Sequence, residues 1–230
     1  MRVIAAFFLL MLQLVYSQND KAKSDWPNLQ KYAEENKTLM DKQPNTKRVV
    51  LMGDSITEFW KPTDAAFFSQ TGYIDRGISG QTTPQMLLRF RQDVIDIKAD
   101  AVVILAGIND IAENTGPIAL EDVMGNIISM AELAKANKIK VVLCSVLPAN
   151  KFWWNHEILP ADKVIALNFM IKDYAKKNNI TYIEYYSPMV DPEKGLDKKW
   201  ADDGVHPNLN GYRLMEPLLV KAVEETLKKK

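Results

Sequence analysis

A chain of 230 residues has room for one domain with a sizeable core and is short for two. With 47% hydrophobic and 25% charged residues it has the composition of an ordinary globular protein, which excludes a disordered one. The formal net charge is zero and no basic stripe is present, so nucleic-acid binding is not expected, and the closing Lys228-Lys229-Lys230 reads as a solvated helix end.

Residues 1–17 open with Arg2, continue through the apolar run Ile4 to Leu12 and end in Val15-Tyr16-Ser17. That is the layout of a secretory signal peptide, cleaved near Ser17–Gln18. Gln13 and Gln18 close the run short of the ~20 apolar residues of a membrane span, so no membrane span is expected in the mature chain. An uncleaved anchor is the alternative, and no Cys follows the run at a lipidation position. Residues 18–230 are then one domain, secreted or periplasmic. Trp26 to Lys42 is a helical candidate ahead of the first strand. Short runs rich in Val or Ile follow at Arg48 to Met52, Tyr73 to Ile78, Ala101 to Ala106, Ile139 to Leu147 and Thr181 to Tyr185. Between and after them, helical spacing of apolar residues marks Pro84 to Lys98, Pro117 to Asn137, Ala161 to Asn178 and Leu209 to Leu227, with Pro84 and Pro117 in first-turn positions. Alternation of strand and helix predicts an α/β fold: one mostly parallel sheet covered by helices on both faces, in three layers.

Ligands of such sheets sit beyond the carboxyl ends of the strands, so the loops there hold the residues of interest. Ser55 follows the first run and precedes a short helix, Ile56 to Trp60, where free backbone N–H groups favour developing negative charge. Its plainer reading is a helix N-cap. Of the two His residues, His206 lies three residues after Asp203, a spacing that lets the carboxylate reach one ring nitrogen and leaves the other for a serine. Asp202 is a rival one residue out of that spacing, and Asp203 is preferred. Asn109, Gly80 and the Ser55 N–H are candidate oxyanion donors, although a turn glycine and a capping asparagine explain the first two equally well. Trp153, Trp154 and His156 form an aromatic segment that serves as a substrate wall or as ordinary loop packing, and Trp60 is a further stacking candidate. Cys144, alone in an apolar run, reads as a buried small hydrophobe. No Cys/His cluster has zinc spacing.

Taken in order, Gly53-Asp54-Ser55-Ile56, Gly80 within Ser79-Gly80-Gln81, Asn109 within Gly107-Ile108-Asn109-Asp110, and Asp203 to His206 resemble the blocks of the SGNH hydrolases, the GDSL esterase/lipase family. Ile56 stands where that family usually has Leu. The resemblance implies a flavodoxin-like α/β/α fold with a five-stranded sheet and a metal-free acyl-enzyme mechanism, with no cofactor expected. Ser55 is then the nucleophile, His206 the base and Asp203 its orienter. The Ser55 N–H, the Gly80 N–H and the Asn109 amide form the oxyanion hole, and Asp54 fixes the nucleophile loop. The expected partner is a small-molecule or oligosaccharide ester, most simply a short-acyl ester such as an acetylated glycan. A lysophospholipase-like esterase is the alternative, no lid-like insertion being visible. A non-catalytic glycan-binding module and a flavin carrier are the readings from other classes. Asp54 and Glu58 oppose the last by repelling a phosphate. The oligomeric state is not legible.

Overall fold

The computed structural model describes residues 25–42 and 46–229, so the expected leader at 1–17 lies outside the described residues. The sheet has five strands: β1 Val49–Gly53, β2 Ile74–Gly77, β3 Ala101–Leu105, β4 Lys140–Cys144 and β5 Thr181–Ile183. Their order is β2-β1-β3-β4-β5 and every pairing is parallel, with Val50 opposite both Ile74 and Val102, Val103 opposite Val142, and Leu143 opposite Tyr182. All residues of β1 and β3 are buried, because helices cover both faces of a parallel sheet.

The helices are α1 Ala33–Asp41, α2 Ser55–Glu58, α3 Trp60–Thr63, α4 Ala65–Thr71, α5 Thr83–Phe90, α6 Ile108–Ile111, α7 Leu120–Ala136, α8 Ala161–Lys177, α9 Tyr186–Met189 and α10 Leu209–Lys228. One layer packs α5 on α7 and α7 on α8. In the other, α10 crosses β3, β4 and β5 and meets α3, where Tyr212 stacks on Trp60 at 5.1 Å and its hydroxyl donates to the Ile56 carbonyl. This is the expected three-layer α/β/α fold.

Several boundaries move, each for a local reason. The run ending at Leu147 leaves the sheet after Cys144, because the Asn168 side chain takes both the N–H and the carbonyl of Val146 at 2.7 and 2.9 Å. β5 stops at Ile183 because the Ser145 hydroxyl accepts the N–H groups of Tyr185 and Tyr186. Pro117 is not in a helical first turn: α7 starts at Leu120 behind an extended Ala119, and Gly116, at φ +101°, turns the chain before it. Pro84 does occupy the first turn of α5, behind a capping box made by Thr82 and Gln85. α5 runs on into a π-helical turn, Arg91–Ile95. Pro217 lies inside α10 on its exposed side, where a lost backbone hydrogen bond costs least. Cys144 is buried as a small apolar residue, and burial raises its thiol pKa.

Candidate active site

The strand order reverses between β1 and β3, and a crevice opens outside the carboxyl ends of two such strands. The loop after β1 delivers Ser55 there and the loop after β3 delivers Asn109. Gly53 closes β1 at a point where a Cβ would come within 2.0 Å of the Thr57 hydroxyl, so α2 can fold back tightly on the strand only over a glycine. Asp54, not Ser55, is the N-cap of α2, its Oδ1 accepting from the Ile56 N–H at 2.9 Å. Ser55 is thereby freed from capping and stands at the first helical position.

The Ser55 Oγ is 2.8 Å from His206 Nε2, and His206 Nδ1 is 2.6 Å from Asp203 Oδ2. The other carboxylate oxygen, Asp203 Oδ1, accepts the N–H groups of Val205 and His206 at 2.9 and 2.8 Å. The spacing of three residues therefore closes a turn in which the carboxylate holds both backbone and ring. Burial alone pushes the Asp203 carboxyl up, but the bonds from the His206 ring and the two amides outweigh it and hold its pKa below the ordinary value. A hydroxyl bonded to an imidazole whose far nitrogen is fixed by a carboxylate is the arrangement in which the imidazole can accept the hydroxyl proton.

Opposite Ser55, Gly80 adopts φ +76°, a conformation natural to glycine. Asn109 is buried, its Nδ2 donating to the Gln81 carbonyl at 3.1 Å while its Oδ1 accepts from Asn114 Nδ2 at 2.9 Å. The Asn114 amide also donates to the Gly80 carbonyl at 3.2 Å, tying the two loops together. Asp110 anchors the Asn109 loop from below by accepting the N–H and hydroxyl of Thr83, and burial raises its pKa. Beneath the loops, the fully buried Arg89 donates from Nε to Gln81 Oε1 at 2.6 Å and from Nη2 to the carbonyls of Gly53 and Arg76. Its charge is matched by Asp93 at 2.8 Å.

Ser55, Gly80, Asn109, Asp203, His206, Trp153 and Trp154 all line one cavity of about 460 Å³. Phe59, Ser79 and Asn114 complete it; Ser79 entered the sequence reading only as a neighbour of Gly80, and Phe59 and Asn114 were not singled out. The Phe59 ring sits 5.2 Å from that of His206. Trp153 is 61% exposed and packs edge-on against Trp154, which stacks on the buried Phe152. Two expectations fail. His156 is exposed and does not line the cavity. Trp60 is buried between Phe67 and Tyr212, so it belongs to the core and offers no face to a substrate. Among the described residues, no three His, Cys, Asp or Glu side chains gather to hold a metal ion, and no helix is long and apolar enough to cross a membrane.

This fold, with a serine and an imidazole meeting at its switch point, places the molecule in the class of carboxylic ester hydrolases built on a three-layer α/β/α sheet. Residues 51–214 match the GDSL-like lipase/acylhydrolase family, and the chain belongs to that family. It is similar to a GDSL-like lipase from Bacteroides thetaiotaomicron, with 52% identity and a TM-score of 0.84 over 86% of this chain and 98% of that one. An inferred acylhydrolase from Bacteroides fragilis is 50% identical, with a TM-score of 0.86 over 88% of this chain and 99% of that one. The uncharacterized lipoprotein YqeF of Bacillus subtilis (strain 168) is 28% identical over 136 residues, which is 58% of this chain and 55% of that protein. The match thus spans about half the length of that curated relative.

Proposed function

We propose that the protein is an exported serine esterase that removes short acyl groups, acetyl above all, from carbohydrate. Ser55 attacks the ester carbonyl as His206 takes its proton. Asp203 keeps the imidazole in the tautomer that accepts at Nε2. The negative charge that develops on the carbonyl oxygen falls to the Ser55 and Gly80 amides and the Asn109 Nδ2. His206 then returns the proton to the leaving alcohol, and water, activated by the same imidazole, releases the acyl group from Ser55.

The observation that carries this reading is the continuous hydrogen-bonded line from Ser55 through His206 to Asp203 along one wall of the cavity. The carbohydrate half rests on other residues of the same cavity. Exposed indole faces at Trp153 and Trp154, beside the polar Ser79 and Asn114, suit a ring with apolar faces and hydroxyl edges better than a long acyl chain. Export rests on residues 1–17 and on the name of the Bacillus relative, a lipoprotein.

Hydrolysis of p-nitrophenyl esters of increasing acyl length, and of an acetylated glycan, tests both halves. Acetyl should be preferred, and Ser55→Ala should lose about 10⁵-fold or more in kcat, leaving only what binding and oxyanion donors supply. Full activity in Ser55→Ala would overturn the mechanism. A preference for long acyl chains would overturn the substrate.

A further inference from the structure

The catalytic cavity has a neighbour across Ser79. That residue also lines a second cavity of about 570 Å³, whose walls include Trp26, Asn28, Gln30 and Gln85. Trp26 is 47% exposed. The side-chain amides of Asn28 and Gln30 are exposed and make no hydrogen bond within the described residues. Among the described residues, no lysine or arginine lines either cavity.

We infer that this second cavity is a subsite for an uncharged sugar unit remote from the ester, which stacks on Trp26 and meets the amides of Asn28 and Gln30. The inference rests on the carbohydrate-ester reading of the catalytic cavity and extends it: the substrate is an oligosaccharide lying across Ser79, with the esterified unit at Ser55.

The segment that carries Trp26 is built as a fixed wall. An irregular segment is loose unless its backbone groups are tied down. Here Gln85, Gln81 and Gln92 donate their side-chain amides to the carbonyls of Trp26, Pro27 and Leu29 at 2.9, 2.7 and 2.7 Å. Asp25 accepts the N–H groups of Leu29 and Gln30 on its two oxygens. Lys31 pairs with Glu58, and Glu58 in turn accepts the N–H and hydroxyl of Ser79 at 2.6 Å. One carboxylate therefore fixes both the Trp26 segment and the residue shared by the two cavities. A wall ordered in advance binds without the entropic cost of ordering it. Asp25 keeps its negative charge beside the neutral amides of Asn28 and Gln30, and among the described residues no lysine or arginine lines the cavity, so the lining suits the hydroxyl groups of a neutral sugar and disfavours carboxylates and phosphates.

The test compares acetylated neutral oligosaccharides of increasing length with p-nitrophenyl acetate, using the wild type, Trp26→Ala, Trp26→Phe and Gln30→Ala. In the wild type kcat/KM should rise with sugar length. In Trp26→Ala the ratio of oligosaccharide to p-nitrophenyl acetate kcat/KM should fall about tenfold, through KM, and Trp26→Phe should restore most of it. Gln30→Ala removes an exposed side chain that makes no hydrogen bond within the described residues, so its smaller loss reports the subsite even if Trp26→Ala folds poorly. If acetylated sugars are cleaved with no length dependence and the ratio is unchanged in these variants, the subsite is absent and the proposed function stands. If p-nitrophenyl acetate is cleaved and acetylated sugars of every length are not, the carbohydrate reading fails and the subsite with it.

Discussion

Asn114 touches no reacting atom in the proposed mechanism, yet one amide group sets two of its donors. It holds the Gly80 carbonyl at 3.2 Å and the Asn109 Oδ1 at 2.9 Å, and so fixes which way the Asn109 amide faces. Losing an oxyanion donor outright costs roughly 10²–10³ in kcat. Asn114→Ala leaves the donors in place but unsupported, so its loss should be smaller, about tenfold in kcat, with KM little changed. A purely structural residue would lower the melting temperature and leave kcat of the folded enzyme alone. That outcome would remove Asn114 from the site. Ser55, Gly80, Asn109, Asp203 and His206 could be proposed from the sequence because they stand in order in blocks that resemble those of the SGNH hydrolases, each within a few residues of a strand end or of its partner; position alone left Gly80 and Asn109 open to a turn and a cap. Asn114 could not, because its meaning lies in a carbonyl on another loop. Trp60 was misread for a related reason: an indole beside the nucleophile helix looks like a substrate wall until the core shows it stacked on Tyr212.

Arg89 couples elements in the same way that Asn114 couples residues. Four of its hydrogen bonds join the end of β1, the end of β2, the Gln81 loop and Asp93 in the middle of the π-helical turn. Removing one partner of a buried ion pair typically costs ~3–5 kcal/mol, because the other charge is stranded. Arg89→Met should therefore melt ~6–20 °C below the wild type, at the 2–4 °C per kcal/mol usual for a chain of this size. A shift within a degree or two in a melting curve would show the network to be dispensable. Periodicity revealed the strands and the long helices, since a parallel sheet demands short apolar runs and its covering helices demand an apolar face. It did not reveal where β4 and β5 end, because Asn168 and Ser145 stop them with side chains contributed across 22 and 40 residues of sequence. Nor did it reveal that an arginine inside a helical pattern is fully buried, since patterning assigns charged residues to the surface by default.

At the scale of the whole molecule, the buried acids beneath the site link stability to pH. Burial raises the Asp54 carboxyl to about 7 and Asp75 to about 6, and it raises Asp110 as well. For Asp54, the bond from Ile56 and the nearby His206 pull the other way without overcoming burial. An unfolded aspartic acid ionises near pH ~3.9. Between about 4 and about 7, then, the folded chain keeps protons on Asp54 that the unfolded chain has released. The native state binds more protons across that window, so ΔG of unfolding falls as pH rises, and the full cost is reached above the folded pKa. Asp203 and Glu58, held below their ordinary values, work in the opposite direction at lower pH. Asp54→Asn keeps an oxygen able to accept from the Ile56 N–H and removes the ionisation. The difference in melting temperature, variant minus wild type, should therefore grow as pH rises from about 4 to about 7 and level off beyond, at ~2–4 °C for each kcal/mol recovered. A difference that stays constant across the window, or shrinks with rising pH, would mean that Asp54 is already ionised in the folded protein. Ser55, the proposed nucleophile, would then stand beside a fixed negative charge, and the proposed oxyanion donors would have that charge to offset as well.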